Sequence, residues 1–158
     1  LIHNDFINNN NLELKMERIL NPRFWIIITG ILNLLFGAFL AFGSSGSIEM
    51  FSDRVGGNID NPMHSVTIAL HEALGVTWAV FGTLIIIAGI RNNKPADAAR
   101  AAIVVSILIG ILQAHHVYQI STEAIPINPE GYFDFGINVF LIIMMLASSF
   151  IYKRKESG

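Results

Sequence analysis

Cysteine is absent from the chain, which excludes disulfides, thiolate metal sites, CxxC redox chemistry and iron–sulfur ligation. Any metal ion would have to be held by His, Asp or Glu. Charge is scarce as well. Only 14% of the 158 residues are charged, against about a quarter in an ordinary soluble domain. Hydrophobic residues make up 53% and the mean hydropathy is +0.54, so a membrane protein is expected. Basic excess is missing too: a net charge of -2 and a pI near 6.2 give no basic face for phosphate, and nucleic acid is excluded as a partner. Catalytic signatures are equally sparse, with no Ser/His/Asp arrangement, P-loop or dinucleotide fingerprint. The stretch "HEALG" at 71–75 opens like the zincin HExxH but carries Gly75 where the second histidine belongs, which rules out a metalloprotease of that type.

What the chain has is oil. Four apolar runs, about 24–42, 64–90, 98–120 and 132–152, are each near or above the roughly 20 residues needed to cross about 30 Å of hydrocarbon as a helix. They lack the alternation of barrel strands, so they read as helices. Proline-bearing punctuation sits before each: Pro22, Asn61-Pro62, "KPAD" and "NPEG". The expected fold is an all-α, up-down-up-down four-helix membrane bundle in one domain, 16–158. Residues 1–15, polar and asparagine-rich, read as a disordered tail or an over-extended start ahead of Met16, and His3 has no role in this account.

Of the ten Lys and Arg residues, all but Arg54 fall in the flanks at 15–23, 91–100 and 153–155. The positive-inside rule then puts both termini and the middle connection in the cytoplasm, with the acidic connections at 43–63 and 121–131 facing outward. The cytoplasmic membrane of a prokaryote is the expected location. A signal peptide is the competing reading of the first run, but its apolar length exceeds the usual core of about 7–15 residues. Small residues at helical spacing, namely Gly30, Asn33 and Gly37, then Gly75, Ala79 and Gly82, then Ser106 and Gly110, mark faces where backbones can approach closely in lipid.

Polar residues gather at one depth. Counted at 1.5 Å per residue from the cytoplasmic ends at Ile90, Ala98 and Tyr152, His71 lies about 28 Å away, Glu72, His116 and Asp134 about 27 Å, and His115 about 26 Å. Gln113 and Asn138 follow at about 21–23 Å on the same rise, Ser44 and Ser45 close the rim, and Asn33 is alone near mid-membrane. Gly110, Gln113 and His116 share three-residue spacing, so His116 is expected to face inward and His115 about 100° away. Imidazoles and carboxylates suit Cu, Zn or Fe, which makes His71, Glu72, His116 and Asp134 the candidate metal ligands, with Gln113, His115 and Asn138 as candidate cofactor-binding residues. A bis-histidine haem from His71 to His115 or His116 is a further geometry, and a quinone another occupant. Two other readings stay open: plain interfacial packing, since the layer lies near the edge of the hydrocarbon, and contact with another subunit. His64 reads as an interfacial histidine. Trp25 and Trp78 read as membrane anchors or core.

The glycine-bearing first helix, the "RNNKPADAARAA" hairpin and the outward polar layer, across 16–158, resemble the DoxX-like group of small four-helix membrane proteins. That resemblance implies an accessory subunit of a quinone-linked membrane oxidoreductase. The expected function is therefore an accessory subunit in a larger membrane complex of the quinone-linked or copper oxidoreductase kind. The alternative is a stand-alone protein binding metal, haem or quinone at the outer layer, with or without catalysis of its own. A transporter would need more mid-membrane polarity than Asn33 and a few hydroxyls supply.

Overall fold

A computed structural model describes residues 20–43, 63–122 and 129–156, without the side chains of 63–65, 67, 120, 129–134 and 153–156. It contains α1 (Pro22–Phe42), α2 (Met63–Arg91), α3 (Pro95–Ser121) and α4 (Pro129–Glu156), and no strand among the described residues. All four are long and apolar enough to cross a membrane. The prolines expected to precede the helices instead begin three of them. Proline's fixed φ and missing N–H cost nothing at the first helical position, where that donor has no intrahelical partner. Asn21 caps α1: its extended backbone (φ -80°, ψ 116°) suits a residue before proline, and its Oδ1 accepts from the Arg23 N–H at 3.0 Å.

Two helices form a tight antiparallel pair. A methyl group on Gly30 would lie 2.8 Å from the Gly82 carbonyl oxygen, and one on Gly82 would lie 2.7 Å from that of Gly30. One heptad along, a methyl on Gly37 would meet the Gly75 oxygen at 2.6 Å, and one on Gly75 the Gly37 oxygen at 2.7 Å. Each step of seven along α1 matches a step of seven back along α2. Such reciprocal approach requires glycine, because lipid supplies no hydrophobic drive between helices and backbone-to-backbone van der Waals contact replaces it.

Arg23 continues this register to the end of α2. Its Nε donates to the Gly89 carbonyl at 2.9 Å and its Nη2 to that of Ile90 at 3.3 Å. The last four carbonyls of a helix have no intrahelical donor, and here all are met: Ala88 by the backbone and side-chain amides of Asn92, Gly89 and Ile90 by Arg23, and Arg91 by the Asn93 N–H. A cation at this end also opposes the helix dipole. Arg23→Met is expected to destabilise the protein by about 1–3 kcal/mol, with Arg23→Lys recovering only part, since one ammonium does not reproduce the fork. An unfolding midpoint in detergent unchanged by Arg23→Met would remove this cap from the account.

The second intimate pair is α3 with α4; α1 also touches both, whereas α2 meets α3 only slightly. Consistently, 39% of α1's membrane window is buried but only 22% of α2's, so α1 is the central helix and α2 lies outside it. The core joins Trp25 and Ile26 of α1, Ile85 of α2, Ala102, Val105 and Ile109 of α3, and Leu141 and Met145 of α4. Large exposed side chains such as Leu35, Leu70, Ile111 and Phe150 are what lipid-facing surfaces require.

Candidate functional site

Burial along α3 and α4 is one-sided. Ala98, Ala99, Ala102, Val105, Ser106 and Ile109 are buried on α3, yet none of the described residues from 110 to 119 is. On α4 the buried residues run from Leu141 to Ser149, with none between 135 and 140. A methyl on Gly110 or on Gly136 would meet nothing within 4 Å. The Gly110 end of the expected small stripe is therefore open, whereas Ser106 is buried and donates to the Ala102 carbonyl at 2.7 Å.

The polar residues lie beyond this limit of the core. Gln113 and His116 are half-buried on α3, as is Asn138 on α4. His115 is exposed, stacked against exposed Tyr118 with centroids 6.3 Å apart and planes at 24°. The two adjacent histidines thus differ in environment as their 100° separation requires. On α2, His71 is half-buried and Glu72 exposed, and His71 stands one turn before Gly75, where α2 meets α1. Asp134 lies within helix α4, but its side chain is outside the described residues, as is that of His64; Ser44, Ser45 and residues 1–15 lie outside them altogether.

Each of these groups belongs to a helix with its own main packing partner. His71 and Glu72 belong to α2, whose neighbour is α1, while His116 belongs to α3, whose neighbour is α4. Among the described residues, no three His, Asp or Glu side chains gather as a metal site would need. Gln113, His116 and Asn138 sit on the paired helices α3 and α4. Amide and imidazole side chains can both donate and accept hydrogen bonds there.

The other polar side chains are used within and between the helices. Asn33 donates to the Thr29 carbonyl at 2.8 Å, Ser148 and Ser149 to that of Met145 at 3.0 and 2.6 Å, and the Thr29 hydroxyl to Met145 Sδ at 3.8 Å. Even the exposed Thr77 and Thr83 bond back to carbonyls four residues earlier, at 2.8 Å each. This back-bonding shields hydroxyls from hydrocarbon. Trp25 is core rather than a surface anchor, edge-on to Phe140 at 5.8 Å, and Trp78 is edge-on to Phe36 and Phe81. The Arg23 cap and the Thr29–Met145 contact were not anticipated from sequence, because both join residues far apart in the chain.

Compared with protein-family models, with curated proteins and with solved structures, the chain finds no match.

Proposed function

We propose that this integral membrane protein is an accessory subunit of a larger membrane complex, of the quinone-linked or copper oxidoreductase kind. It runs up-down-up-down with both termini in the cytoplasm of a prokaryote. One observation carries the subunit reading: among the described residues of α3 and α4 the buried positions stop at Ile109 and Leu141, and half-buried Gln113 and His116 follow on one face of α3. Gln113 lies about 9 Å inside the end of its span at 1.5 Å per residue. There an amide exposed to lipid is costly, and a partner side chain or backbone removes that cost. The resemblance to the DoxX-like group points toward the same kind of assembly. Orientation rests on the crowding of Lys and Arg at one end of the spans.

The expected consequence is specific to that face. Gln113→Leu with His116→Leu should release the protein from its native assembly, shifting it to a small particle on a native gel while its thermal unfolding is unchanged. His115→Leu, on the exposed side, should leave the assembly intact. A double variant that stays in the large particle would overturn the contact. Wild-type protein that migrates alone and carries a metal, haem or quinone lost in His71→Ala or His116→Ala would replace the subunit reading with the stand-alone one.

A further inference from the structure

The junction of α2 and α3 combines charge and apolar surface in a way the subunit reading does not use. Only residues 92–94 separate the two helices. Arg91, Lys94 and Arg100 are exposed, and Arg23 is committed to the α2 carbonyls. The only ion pair there among the described residues is Asp97–Arg100, at 3.7 Å with the side chains 45% and 74% exposed, a weak pair at that exposure. Three exposed cations thus stand against one carboxylate, which only Arg100 meets, at the depth where two spans leave the hydrocarbon.

Each arginine heads an apolar stripe. From Arg100, positions four, seven and eleven residues on are Val104, Ile107 and Ile111; from Arg91, the same steps back reach Ile87, Leu84 and Val80. All six are exposed, and each set lies along one face of its helix. The two helices touch only slightly, so the stripes are not used against each other. A soluble anion would match the cations and ignore the stripes; a lipid with two acyl chains matches both. Arg100 stands about 9 Å past Lys94 along the chain at 1.5 Å per residue, a separation that a long arginine side chain can narrow by extending its head toward the polar level; its guanidinium already reaches back to Asp97, one turn nearer the loop.

We propose that the α2–α3 junction holds an anionic phospholipid, its headgroup phosphate bound by Arg91, Lys94 and Arg100 and its acyl chains lying on the stripes below the two arginines. The test uses the full chain in detergent, where the orienting role of these cations has no effect, and counts lipid adducts by native mass spectrometry with phosphatidylglycerol or phosphatidylcholine added. Wild type should prefer phosphatidylglycerol, and R91Q/K94Q/R100Q should lose about a hundredfold of that affinity, at roughly 1 kcal/mol per cation near an anionic surface. K94Q alone should lose an intermediate amount. Equal retention of phosphatidylglycerol by wild type and the triple variant would overturn the site. So would full displacement by millimolar inorganic phosphate, which would make it a phosphate site, or an acidic protein whose co-purification, and no lipid's, depends on the three cations.

Discussion

Replacing Gly37 with leucine is expected to separate α1 from α2 and to destabilise the protein by about 3 kcal/mol, the upper end of ordinary overpacking costs. Even a methyl at this position would run into the Ala79 backbone nitrogen and the Gly75 carbonyl oxygen. Those atoms belong to a helix backbone, which cannot rotate aside as a side chain can. Gly75 and Gly82 face the same obstruction from the other helix, so leucine there should cost a similar amount, and α2 should lose its principal anchor. The control is Gly110→Ala. With nothing within 4 Å to meet the new methyl, it should stabilise the protein by about 0.5–1 kcal/mol through helix propensity alone. Denaturation in mixed micelles reads both. A Gly37→Leu protein as stable as wild type, or a Gly110→Ala protein as damaged as Gly37→Leu, would contradict the packing described for the pair.

The second large effect is all-or-none. Because the chain has no cysteine, a single introduced thiol reports on itself without background. Asn93 and Thr122 are exposed and stand just beyond the ends of α2 and α3, one in the basic connection and one leading into the acidic one. In right-side-out membrane vesicles, an impermeant maleimide should label Thr122→Cys fully and Asn93→Cys only after the vesicles are opened. Asn93 is chosen over its neighbour Lys94 so that the orienting charge is kept. The reverse pattern would invert the orientation, and labelling of both from outside would refute an odd number of crossings between them.

The spans are legible because they depend only on run length and composition, and the glycine faces of α1 and α2, though not their pairing, because glycine in a membrane helix marks where a backbone can approach. Gly110 shows the limit of that signal. A small residue permits contact without supplying a partner, and α3 packs through Ala98, Ala102, Val105 and Ile109 instead. Azimuth is legible too: the 100° step between neighbours separates exposed His115 from half-buried His116. Helix adjacency is not. In lipid, core-facing and lipid-facing residues are equally apolar, so nothing in Leu74 or Ile109 says which faces a neighbour. The expected grouping of His71 and Glu72 with His116 therefore rests on depth alone, and α2 packs chiefly on α1. Arg23 was counted as an orienting charge, and its grip on Gly89 and Ile90 depends on a register that only the folded pair defines.

The central claim, membership in a larger membrane assembly, is tested most directly by the particle mass of the protein after mild extraction from its native membrane, with the co-migrating chains identified by mass spectrometry. Migration in a large particle of defined composition, containing redox subunits, is the predicted result. Migration as a monomer or a small homo-oligomer would contradict it.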